Sequence, residues 1–156
     1  MHEPVVILHS VLRLALVAMA AGLTVASLRG LVTSSPRPAR ARLVQRVAVI
    51  LADLQLAIGL LLYLALSPVV EVALDDFGAA MKDRELRFWA VEHGTMMLLA
   101  VVLFHAGKIL ARRAPDDRGY HRRTALCFGL ALVAILAGSP GLPWGEYGRG
   151  LLRGWW

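Results

Sequence analysis

Six ionisable side chains stand inside apolar stretches of this chain: His9, Arg13, Asp53, Glu92, His93 and His105, with Gln55 and Tyr63 as uncharged company. An ionisable group within a membrane span costs roughly 2.5–3.5 kcal/mol on insertion scales, so each needs a partner or a purpose. His9 falls about four residues inside the outer end of a first expected span, and His93 about five inside the outer end of a third. At 1.5 Å per residue, both imidazoles belong roughly 6–8 Å below the outer boundary. First and third helices of an antiparallel four-helix bundle can face one another across its centre. Two imidazoles at one depth on such helices can supply both axial ligands of a b-type haem, which needs no cysteine attachment. Arg13 lies one turn deeper on the His9 face, where it can meet a haem propionate, a quinone oxygen or Glu92. The competing reading makes both histidines hydrogen-bonded packing residues.

The remaining polar residues offer less. His105 follows His93 by twelve residues, a rotation of about 120° on a helix. The first stretch has no second histidine at the inner depth, so a second haem is disfavoured and His105 is expected at the interface beside Lys108. Asp53 and Gln55 are placed toward the inner side of the second stretch, with Asp53 too deep to reach His9 or His93. Asp53 is either neutral, as desolvation favours, paired with a cation of another protein, or engaged in proton transfer. Zinc is disfavoured, because a closed site wants four ligands and only His9, Glu92 and His93 come near. Met96, Met97 and the single Cys127 read as apolar filling.

Four apolar stretches must position these groups: about 5–28, 43–66, 88–110 and 124–142. Each approaches the roughly 20 residues needed to cross a bilayer core. Hydrophobic residues make up 58% of the 156, and mean hydropathy is +0.61. The first stretch reads as a span, since it has no basic leader and runs past Arg13 to about Leu28. The expected fold is an all-α integral membrane four-helix bundle in a single domain. Arg29, Arg37, Arg40, Arg42 and Arg46 flank the first connection, and Lys108, Arg112, Arg113, Arg118, Arg122 and Arg123 the third. The positive-inside rule puts both connections in the cytoplasm and both termini outside, as in a bacterial inner membrane. In the outer loop, 67–87, Val72, Phe77, Met81 and Leu86 predict a short interfacial helix, with Phe88 and Trp89 as belt residues. The tail, 143–156, is expected at the outer surface. Ala18, Gly22 and Ala26 form a small-residue row that permits close approach of a neighbouring helix.

The net charge of +6 follows this topology; no folded nucleic-acid-binding module accompanies it. The chain lacks GxSxG, HExxH and P-loop signatures, so the only enzymatic role expected is as an electron-transfer subunit of an oxidoreductase complex.

Leu8-His9-Ser10 with Arg13, Gln55-Leu56 with Gly59-Leu60 and Tyr63, Arg87-Phe88 before Glu92-His93 and Met96-Met97, and Pro143-Trp144 resemble a family of small four-helix bacterial membrane proteins of cytochrome b-like type. The resemblance covers most of the chain. It implies haem and electron transfer; where its members tend to carry a histidine, this chain has Asp53. The leading expectation is a haem b-binding subunit of a respiratory or quinone-linked complex, with His9 and His93 as axial ligands and Arg13 on a propionate. The alternatives are a cofactor-free accessory subunit packed against larger membrane subunits, and a metal-handling or transport protein using Asp53, Glu92 and His93.

Overall fold

The computed structural model describes residues 3–139, and every regular element among them is a helix. Four are long and apolar enough to cross a membrane: α1 (Glu3–Thr33), α2 (Ala41–Leu66), α5 (Arg84–Arg112) and α6 (Asp117–Ala137). Two short helices, α3 (Pro68–Asp75) and α4 (Phe77–Ala80), fill the connection from α2 to α5. The protein is an all-α membrane bundle of four spanning helices.

Local chemistry sets the helix ends. Ser67, Asp76, Asp83 and Asp116 each accept a hydrogen bond from the backbone N–H three residues on, which satisfies a donor that the helix leaves unpaired. The Asp116 cap starts α6 a full two turns before the expected residue 124, and Gly138 ends it before 142. The expected tail, 143–156, lies outside the described residues. α1 runs on to Thr33 and closes with Ser34 at φ 50° and a bond from Ser35 N–H to Gly30 O of 3.1 Å. That left-handed residue and six-to-one hydrogen bond form a Schellman-type stop. In the outer connection Met81 and Leu86 pack against Ala73, Ala80 and Ala90, whereas Val72 and Phe77 stay exposed. The one short helix expected there is split because Asp76 breaks α3 and caps α4.

The spanning helices form a ring in the order α1, α2, α5, α6, which leaves α1 and α5 diagonal to one another. α6 packs along both α5 and α1, while α2 leans more lightly against its two neighbours. Small residues make the close contacts: Gly107 lies against Phe128, and Gly129 against Thr24. Leu16, Ala20, Ala52, Phe104, Phe128 and Ile135 belong to the central core, where Phe104 and Phe128 meet edge to face with centroids 5.2 Å apart. The outer surface carries Val25, Val32, Leu64, Leu126 and Val133, an apolar exterior suited to lipid. Ala18, Gly22 and Ala26 face that exterior, and among the described residues nothing lies within 4 Å of a Cβ placed on Gly22. The row that α1 buries is Arg13, Leu16, Ala20, Leu23, Ser27 and Gly30.

A polar network ties the basic end together. Gln45 Nε2 donates to Thr124 Oγ1 at 3.1 Å, and the buried His121 donates from Nε2 to Ser35 O at 3.1 Å. Arg37 sits over the Tyr120 ring, 4.9 Å from its centroid, and pairs with Asp117 at 3.8 Å. Buried polar groups need such partners. No pattern along the chain marks Gln45 or His121, because their partners, Thr124 and Ser35, lie 79 and 86 residues away.

Candidate cofactor cavity between diagonal histidines

At the other end of the bundle α2 and α5 each contain one π-helical segment, Leu62–Leu66 and Phe88–Glu92. Such turns insert a residue and are frequent at functional sites. Tyr63 in the first donates its hydroxyl to Ala90 O in the second, at 2.5 Å. The helix ends are thereby fastened beside a cavity of about 390 Å³, lined among others by His9, Gln55, Tyr63, His93, Met97 and Ile135. The lining draws on all four spanning helices and is mostly apolar. A few polar groups on an apolar wall are the usual make-up of a small-molecule site.

His93 is the better defined of the two imidazoles. Its Nδ1 lies 2.6 Å from Gly138 O, just beyond the end of α6. A carbonyl can only accept, so Nδ1 carries the proton and Nε2 of the neutral ring keeps its lone pair. This backbone bond is the usual orienting partner of a ligating histidine. Trp89 and Phe88 pack on the ring, with centroids 5.4 and 6.1 Å away. Phe88 is buried, so its place is behind His93 and not in an aromatic belt. Gly138 makes the approach possible: a Cβ there would stand 2.6 Å from Met96 Cβ.

His9, on the diagonal helix, is held by Gln55. Gln55 Nε2 donates to His9 O at 3.0 Å and to His9 Nε2 at 3.2 Å. Gln55 therefore belongs with His9, nearer the cavity than the inner placement expected from its position in α2. The arrangement puts the His9 proton on Nδ1. That atom and Gln55 Oε1 are both buried, and neither has a hydrogen-bond partner among the described residues. Arg13 is buried within Coulombic reach of both imidazoles but does not line the cavity.

Gly59 leaves the space His9 occupies, since a Cβ there would stand 3.2 Å from His9 Cε1. Gly59→Val is expected to displace the ring from Gln55 and cost about 1–3 kcal/mol by overpacking. Thermal unfolding in detergent checks it: Gly22→Val, with nothing within 4 Å of its Cβ, should melt later than Gly59→Val.

The other candidates lie elsewhere. Glu92 is exposed and pairs with Arg87 at 2.8 Å, so it is not the partner of Arg13. The π-helical segment before His93 turns it to that side. Asp53 and His105 meet each other at 2.8 Å on the outside of the bundle. Cys127 is half-buried on α6 beside Gly107. Among the described residues no three His, Cys, Asp or Glu side chains converge as a metal group. No protein-family model, curated protein or solved structure matches the chain.

Proposed function

We propose that this chain is a haem b-binding electron-transfer protein of a bacterial inner membrane, working as a small subunit of a respiratory or quinone-linked complex. The observation that carries the reading is that two imidazoles on diagonal helices open onto one cavity, with His93 oriented by a backbone carbonyl. His93 and His9 would hold the haem iron, and Arg13, buried close to both imidazoles though outside the cavity lining, would balance the charge of a propionate. When bound, the haem supplies one-electron chemistry at iron. The donor set suits it: a neutral imidazole with its Nδ1–H on a carbonyl is a strong ligand at Nε2. His9 Nε2 would become available once the Gln55 amide turned away from it. The apolar walls keep water from the ligands.

Eleven Lys and Arg residues flank the α1–α2 and α5–α6 connections, which supports an orientation with those connections inside and the cavity toward the outer face. That position would give a haem held there access to an external donor or to quinone. The test is a reduced-minus-oxidised absorption spectrum of the purified chain, made in cells supplied with haem precursor. The expected result is a b-type signal with about one haem per chain, the ratio that bis-imidazole ligation by a single His pair sets. A colourless protein of intact helicity overturns the reading.

A further inference from the structure

Where α2 and α5 approach the basic end of the bundle, their shared groove carries two facing arginines. The register follows from the contacts between the helices: Asp53 Oδ1 meets His105 Nε2 at 2.8 Å, and Tyr63 meets Ala90 nearer the cavity. The helices are therefore antiparallel, and equal steps along each from Asp53 and His105 stay opposite one another. Seven residues make two turns, about 10 Å, and return to nearly the same side of a helix. Two turns toward the basic end stand Arg46 on α2 and Arg112 on α5. Two turns toward the cavity stand Leu60 and Leu98, both exposed and both part of the cavity lining. Arg42 lies one turn beyond Arg46, and Lys108 one turn before Arg112. Ala41 and Ala111 share a buried cluster, so the helices remain together at this end. The groove is thus apolar beside the cavity and cationic at its rim, where α5 terminates.

Those four cations have no anion of their own. Arg42, Arg46 and Arg112 are exposed and Lys108 is half-buried, and none of the four side chains has a hydrogen bond or ion pair among the described residues. The acids at this end are engaged: Asp53 by His105, Asp116 by the N–H of Gly119, and Asp117 by Arg37. Other basic residues here are placed differently. Arg37 and Arg123 are held within the protein, while Arg29 and Arg122 stand on the far sides of α1 and α6 from their buried rows. An uncompensated cationic rim at the head of an apolar groove calls for an anion that carries hydrocarbon. Opposed guanidinium groups clasp a phosphate through their forked N–H donors, and basic pockets between spanning helices suit acidic lipid headgroups. A soluble anion or an acidic protein segment would satisfy the cations and leave the groove unfilled.

We propose that the α2–α5 groove binds one anionic phospholipid, its phosphate between Arg46 and Arg112, flanked by Arg42 and Lys108, and an acyl chain directed toward Leu60 and Leu98. The proposal is independent of what the cavity holds.

The test is native mass spectrometry of the full chain in detergent, titrated with phosphatidylglycerol or with phosphatidylcholine of the same acyl chains. The wild type should bind one phosphatidylglycerol about tenfold or more tightly than phosphatidylcholine. Arg46→Gln with Arg112→Gln should weaken phosphatidylglycerol binding about thirtyfold, at about fivefold for each cation facing an anionic lipid. Arg29→Gln with Arg122→Gln removes the same charge elsewhere and should stay within about twofold of wild type. Glycerol 3-phosphate, which lacks the chains, and hexaglutamate should not displace the lipid at equal concentration. Equal affinity for the two lipids, an equal loss in the two double variants, or displacement by either soluble anion overturns the proposal. Should the first double variant fail to fold, Arg112→Gln alone, at the exposed end of α5, should show about a fivefold loss; no loss refutes the site.

Discussion

His93→Leu is expected to lower haem affinity by more than about a hundredfold while the bundle still folds. Loss of a supporting partner to a ligand alone costs 10–100-fold, and this substitution removes the proposed ligand itself. The structural cost is smaller. Leucine keeps most of the volume between Trp89, Phe88 and the cavity, and the single bond to Gly138 O contributes about 1 kcal/mol. His9→Leu should weaken binding less and alter the spectrum, because His93 and its carbonyl remain. Haem titration of the purified variants, followed by absorption, separates these outcomes. If both single variants bind haem as the wild type does, the cavity is not its site.

Gly107→Leu should produce a large loss of stability in the bundle. A Cβ at residue 107 would lie 2.8 Å from Phe128 Cε2 and 2.9 Å from Cys127 Cβ. The ring could turn, but the Cys127 Cβ moves only with the backbone of α6. α5 and α6 must therefore separate, and with them the buried Phe104–Phe128 contact. Overpacking of this kind costs about 1–3 kcal/mol, and more where backbone has to shift. Thermal unfolding in detergent should show an earlier transition than in Gly22→Leu, whose side chain projects into open space. Equal melting of the two variants would mean that α5 and α6 do not pack through Gly107.

Apolar run length and turn residues made four helices legible, because they are properties of one segment at a time. The partners of the polar residues belong to pairs of segments. Gln55 reaches His9, and Asp53 reaches His105, through the register between α1, α2 and α5, which no single helix encodes. The same holds for Gly138: as a helix stop it was readable, but its role as acceptor for His93 depends on how α5 and α6 meet. Rotation counted at 100° per residue also fails across the π-helical segments. Glu92 thereby comes to Arg87 instead of Arg13. The small-residue row of α1 was visible as a row, yet period alone cannot say which side of a helix its own chain will cover.

The unequal grip within the ring has a consequence for how the protein is made. α1 finds its most extensive contact in α6, the last of the four described spanning helices in chain order, and only a lighter one in α2, the first companion it meets. During insertion the α1–α2 hairpin must therefore wait in the bilayer as a loosely joined pair until α5 and α6 arrive. The two histidines also come from opposite sides of that interval, His9 in the early hairpin and His93 in the late one. The space between them is therefore walled on all four sides only once α6 has docked.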